Sequence, residues 1–159
     1  MAKKCTTVSA IPRIITMGYS FRTITSGSAA FGLTPTKRGW QILAEARFKN
    51  APIPNKALKD VLLWFPNVQN TTWNNCYHRN TIIEEHKDAA KNLLHVKKLL
   101  KENEVRITFL KDNSDYRYVG VYELDKNNTR KRNVCVWKRV LTDISSDLSN
   151  VKSYIKSRP

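Results

Sequence analysis

Apolar and polar positions change period several times along the chain, and the changes mark its elements. Residues 11–25, IPRIITMGYSFRTIT, favour β-branched and aromatic side chains and predict one or two strands. Residues 25–39, TSGSAAFGLTPTKRG, are dense in Gly, Ser, Thr and Pro and read as a loop. Residues 40–49, WQILAEARFK, read as a short helix that Pro52 and Pro54 end. Asn55 is then a cap for KALKDVLLWF, whose apolar run fits a helix or a buried strand. The next stretch, NVQNTTWNNCYHRNTIIEEH at 67–86, holds five asparagines and almost nothing apolar before Ile82, and reads as a long loop.

Residues 84–102 predict a helix, with Ala90, Leu93, Leu94, Lys97 and Leu100 following the 3.6 period. Glu84, Glu85 and Asp88 stand in its first turns and Lys97, Lys98 and Lys101 near its end, as the helix dipole favours. A meander follows. VRITFL at 105–110, YRYVGVYEL at 116–124 and NVCVWKRV at 133–140 are strands, joined by turns at 111–115 and 125–132. Tyr116, Tyr118 and Tyr122 are expected on one face. Ile144, Leu148, Val151 and Ile155 then predict a helix over 143–157, capped by Asp143. The expected fold class is α+β over the single domain 1–159: a curved antiparallel sheet, or a β-barrel, flanked by helices.

Charge points to a partner. Lys and Arg number 28 against 13 acids, a net +15 with an isoelectric point near 10.0. A domain this basic meets polyanions. The excess sits toward the ends: ten basic residues against two acids in 1–60, seven against five in 61–110, eleven against six in 111–159. No run approaches the ~18 apolar residues of a spanning helix, so no membrane partner is expected. Cys5, Cys76 and Cys135 form no paired spacing, and the N-terminus shows no secretory h-region, which predicts an intracellular protein in a reducing compartment.

Metal and catalytic chemistry are poorly supported. Cys76, His78 and His86 lie close in sequence, but alternate residues of a strand point to opposite faces, and a structural zinc wants four ligands. Cys76 then reads as a small buried residue and His86 as a polar residue in the first turn of a helix. No glycine-rich loop cradles a phosphate or an oxyanion. No cofactor, metal or catalytic residue is assigned. Asp112, Asp115, Glu123 and Asp125 are the acids a metal-dependent nuclease would have to use.

Nucleic-acid chemistry fits better. Asn74 and Asn75 can pair with base edges, and Trp73, Tyr77, Tyr116 and Tyr118 offer faces for stacking. Arg79, Arg117, Arg130, Lys131, Arg132, Lys138 and Arg139 can hold phosphates. Trp40, Trp64 and Trp137 are expected in the core, with Trp73 the least core-like tryptophan. DNA is favoured over RNA. The alternatives are an RNA-binding or ribonucleoprotein component, a module docking an acidic protein, and the small nuclease.

The order of features resembles the SRA-type members of the PUA-like superfamily, readers of modified cytosine. The residues that carry the resemblance are Asn67, Trp73-Asn74, Asn92, Tyr118-Val119-Gly120-Val121-Tyr122-Glu123-Leu124 and Trp137-Lys138-Arg139-Val140, within 61–141. The resemblance implies a curved barrel flanked by helices and a base flipped between aromatics without a metal. It also implies a nuclease as partner, fused or separate. The stretch Ile83-Glu84-Glu85-His86-Lys87-Asp88 departs from the Gly-Asp-Gln type of segment usual in that family.

Overall fold

The computed structural model describes residues 11–111 and 113–159. Its centre is an open, mostly antiparallel sheet. The strands are β1 (Ile14–Ile15), β2 (Ser20–Phe21), β3 (Lys37–Arg38), β4 (Gln41–Ile42), β5 (Glu45–Arg47), β6 (Val61–Trp64), β7 (Trp73–His78), β8 (Thr81–His86), β9 (Val105–Lys111), β10 (Tyr116–Leu124), β11 (Cys135–Leu141) and β12 (Ile144–Ser145). The helices are α1 (Ile24–Ala30), α2 (Ala89–Leu100), α3 (Lys126–Arg132) and α4 (Ser149–Ser157). The main sheet runs β5-β6-β9-β10-β11-β8-β7, with β2 joined to β10 and only β6–β9 parallel. It does not close into a barrel. The curved open sheet is therefore the correct member of the two expected architectures.

Alternation within β9 builds two cores. Val105, Ile107 and Phe109 enter one, with Val61, Leu63, Phe65, Tyr118 and Val121. Leu110, Leu62, Trp64, Val119, Tyr122, Cys135 and Trp137 enter the other, which Val96 and Leu99 of α2 cover. A bulge between Tyr118 and Gly120 shifts the register of β10. It sends Tyr116 and Tyr118 to the first core and Tyr122 to the second, so the three tyrosines do not share a face. Gly120 sits at φ +123°, and a Cβ there would lie 2.4 Å from Arg139 Cδ.

Local chemistry corrects several sequence readings. The expected loop at 25–39 contains α1, because Thr23 and Ser26 close a capping box over Thr23–Ser26. The expected helix at 40–49 is instead the end of one hairpin and an edge strand: β3 and β4 are joined by a two-residue turn with Gly39 at φ +62°, and Ala46 of β5 pairs with Leu63. VLLW resolves as a strand, and Asn55 caps only a single 3₁₀ turn, Lys56–Leu58.

The asparagine-rich stretch is not a long loop. Its second half is the hairpin β7–β8, with Arg79 at φ 53° in the turn and Trp73, Asn75 and Tyr77 alternating with exposed neighbours. Glu84 and His86 therefore lie on a strand. The helix begins at Ala89, where Asp88 accepts from Lys91 N at 3.0 Å. Its buried face carries Asn92, Val96 and Leu99, while Leu93 and Leu94 point outward. The expected turn at 125–132 is α3, capped by Asp125 and ended by Asn133 at φ 54°. The last helix starts at Ser149, not at Asp143; Asp143 Oδ1 instead accepts from Met17 N.

Candidate nucleic-acid interface

The second core contains an arginine, Arg106, in an otherwise apolar strand, and the surroundings show why it is tolerated. Its guanidinium carbon lies 3.9 Å from the Trp137 ring centroid and 4.6 Å from that of Trp64. Its nitrogens reach Glu104 at 2.9 Å and both oxygens of Glu84 at 3.4 Å. Glu84 Oε1 also accepts from Trp137 Nε1 at 3.1 Å and lies 2.9 Å from His95 Nε2. Arg47 extends the network from β5, donating to Glu104 at 2.9 Å and to Glu45. Each of the three carboxylates here has an arginine partner, as burial demands.

Burial, the largest single influence, would raise both carboxyls, but Arg106 together with His95 and Trp137 at Glu84, and together with Arg47 at Glu104, outweighs it and holds both at about 2. A depressed folded-state value contributes stability above the ordinary carboxyl range. That contribution is lost as pH falls from about 4.5 toward 2. Thermal melts should accordingly show a falling melting temperature across that window. A melting temperature unchanged from pH 5 to 2.5 would contradict the pairing.

Glu84, His95 and Cys135 offer ligand atoms within 4.8 Å of one another. The donor set does not suit a metal. Arg106 and Trp137 already engage Glu84, and the set offers three ligands where a structural zinc wants four.

Next to this network stands Trp73. Its ring meets His86 and His95 edge-on, both with centroids 4.8 Å away. It is half-buried, and its backbone N donates to Asn70 Oδ1 at 3.2 Å. His86 is on β8 rather than on a helix, and its Nδ1 accepts from Asp88 N at 2.9 Å. Two residues along β7, Asn75 Nδ2 donates to Asn67 O at 3.3 Å, while Asn75 Oδ1 is buried with no hydrogen-bond partner among the described residues. Asn74 points outward, and Tyr77 packs on the second core. Cys76, expected to be buried, is exposed; Cys5 lies outside the described residues.

The remaining candidates fall into separate places. Arg79 and Asn80 form the tip of the β7–β8 hairpin, where Arg139 Nη2 donates to Asn80 Oδ1 at 2.8 Å. Arg130, Lys131 and Arg132 are exposed on α3. That is the other end of β11 from Arg139, at least about 13 Å of strand away. Lys138 lies 3.8 Å from Glu123 in a cleft of about 510 Å³ that Asp60, Glu102, Glu104 and Asp125 also line. Those acids make it a poor phosphate holder. Arg117 is exposed on β10. Tyr116 is nearly buried against Phe65, with Lys111 5.3 Å above its ring. Tyr118 is fully buried and donates its hydroxyl to Thr142 O, so it has no free face for stacking a base. Of the nuclease acids, Asp125 caps α3, Asp115 and Glu123 lie at opposite ends of β10, and Asp112 lies outside the described residues.

Trp40 reverses its expected role. It is 102% exposed, at the tip of the β3–β4 hairpin, with Lys37 and Arg38 exposed beside it. The hairpin is a two-stranded sheet of its own. Its signal in the sequence is K-R-G-W: a glycine that turns the chain displays the residue after it. Trp64 and Trp137 are buried as expected.

A family model described as the SET and RING associated domain matches residues 21–146. Among solved structures, the 5-hydroxymethylcytosine-specific restriction enzyme AbaSI is similar at a TM-score of 0.62 and 24% identity, covering 84% of this chain. This chain spans 42% of that enzyme's chain, and the likeness at this identity concerns the fold. No curated protein sequence matches. No helix among the described residues is long and apolar enough to cross a membrane. With the family model spanning most of the chain over an open curved sheet, the protein belongs to the SET and RING associated (SRA) domain family.

Proposed function

We propose that this chain is a reader of double-stranded DNA that recognises a modified cytosine taken out of the base stack, and that it performs no catalytic step itself. The observation that carries the reading is the family match over residues 21–146. The surface chemistry supports it: net charge +15, a basic hairpin with an exposed indole at its tip, and a second, half-buried indole at Trp73. In this reading Arg79, Arg117 and Arg139, with Lys37 and Arg38, hold phosphates, as do the exposed Arg130, Lys131 and Arg132 of α3. Trp73, Asn74, Asn75 and Tyr77 sample the base. The similarity to a restriction enzyme about twice this chain's length supports a nuclease as the working partner.

Base extrusion is tested with 2-aminopurine placed beside the modified cytosine. Binding should raise its fluorescence, because a flipped neighbour unstacks it. Binding with unchanged emission would contradict flipping. Arg130, Lys131 and Arg132 supply a second check. Replacing all three with alanine should weaken modified and plain duplex equally, and flatten the salt slope by about two to three. A loss confined to the modified duplex would show that these residues read rather than hold.

A further inference from the structure

Trp73 is held by side chains that belong to the fold rather than to the surface. Glu84 is fixed from the protein side by Trp137 Nε1 and Arg106. An ionised carboxylate only accepts, so His95 Nε2, 2.9 Å away, carries the hydrogen between them. That bond sets the plane of the His95 ring, and the Trp73 ring packs against it at 67°. On the other side His86 is fixed too. Its Nδ1 accepts from Asp88 N, its backbone N donates to Asn92 Oδ1 at 3.1 Å, and its ring meets Trp73 at 69°. The indole therefore stands between two imidazoles, each locked by a hydrogen bond of its own. A surface tryptophan that merely stacks on bases needs no such frame.

We infer that His95 is a positioning residue for recognition: anchored on Glu84, it sets the pose of Trp73 and thereby the discrimination between modified and unmodified cytosine. The inference rests on the modified-base reading. Positioning matters here because a recognition group must be held within about 0.5 Å by neighbours that are themselves fixed. The His95 side chain is 21% exposed, and its ring contacts are to Glu84 and Trp73, so its effect on recognition runs through Trp73. Its place in the sequence supports the same order of events. His95 lies on the covering helix α2, one turn from Asn92, which ties that helix to His86 and, through Nδ2 at 2.9 Å, to Asn133 O. The helix thus delivers His95 to a defined point over β7 and β8.

The test compares wild type, His95→Gln, Trp73→Phe and the double variant. Each is titrated by fluorescence anisotropy against duplexes with one cytosine, 5-methylcytosine or 5-hydroxymethylcytosine. Glutamine keeps an N–H for Glu84 and removes the ring that faces Trp73. His95→Gln should lower the modified-over-plain affinity ratio about threefold to tenfold, within the range of pairwise couplings between contacting residues. Affinity for plain duplex should stay within about twofold, and the loss should vanish in the Trp73→Phe background. His95→Phe, which restores an aromatic wall, should recover part of the ratio and covers the case of a poorly folded glutamine variant. Trp73 emission, read as the difference between proteins with and without that residue, should shift in His95→Gln without DNA. A wild-type ratio near one sinks the modified-base reading and the inference together. A wild-type preference that His95→Gln leaves intact, or that falls by the same factor with and without Trp73, overturns the inference alone.

Discussion

Arg106→Ala should lower stability by about 3–5 kcal/mol, the cost of leaving a buried charge without its partner. For a chain of 159 residues this corresponds to a fall in melting temperature of roughly 6–20 °C. Both Glu84 and Glu104 lose their main counter-charge, and the Trp64 and Trp137 rings lose the guanidinium that lies over both. Lysine should rescue little, because one ammonium cannot lie flat over two indoles and reach two carboxylates at once. Differential scanning calorimetry decides the matter. A fall of less than about 1 kcal/mol would mean that the guanidinium contributes little beyond filling space.

Trp40→Ala should weaken duplex binding by about 5- to 150-fold while leaving the melting temperature unchanged. The range follows from about 1–3 kcal/mol for one aromatic side chain stacked on a base. Stability is spared because the ring is 102% exposed and buries nothing in the protein. Trp40→Phe should keep part of the affinity. The loss should persist at high salt, unlike that of Lys37→Ala or Arg38→Ala, whose contacts are to phosphate. If Trp40→Ala binds like wild type at two salt concentrations, the β3–β4 hairpin does not touch nucleic acid.

These expectations concern residues that the sequence exposes to different degrees. VRITFL and YRYVGVYEL are legible because both faces of those strands are largely buried, which makes them rich in branched and aromatic residues that fit no other element. The hairpin β7–β8 was hidden because its outward positions, Asn74, Cys76 and His78, and its inward Asn75 blur the contrast that marks a strand. The face of α2 was misread for a related reason. Leu93 and Leu94 carry the apolar signal but point outward, whereas Asn92 is buried because its amide bridges His86 N and Asn133 O. Short-range chemistry decided α1 and α3: Thr23 caps α1 at the end of a stretch that reads as strand, and Asp125 caps α3 in a stretch that reads as a turn.

The site was partly legible. Trp73 and the asparagines stood out as polar and aromatic company without a core to enter. Glu84, His95 and Arg106 did not, because nothing in one dimension says that β8, α2 and β9 meet. An arginine inside an apolar strand was the available hint, since such a charge requires an acidic partner from elsewhere in the chain. Trp40 was assigned to the core on residue type alone. The glycine before it, which permits the tight turn, was the signal that outranked hydrophobicity.

The most direct test is the affinity of the intact chain for one duplex sequence carrying cytosine, 5-methylcytosine or 5-hydroxymethylcytosine at a single position, measured at low and high salt. A modified-base reader predicts tenfold or greater preference for a modified duplex, about 1.4 kcal/mol, that survives the increase in salt while overall affinity falls. Equal affinity for all three duplexes, with only the common salt-dependent loss, would leave a basic protein that grips DNA without reading it.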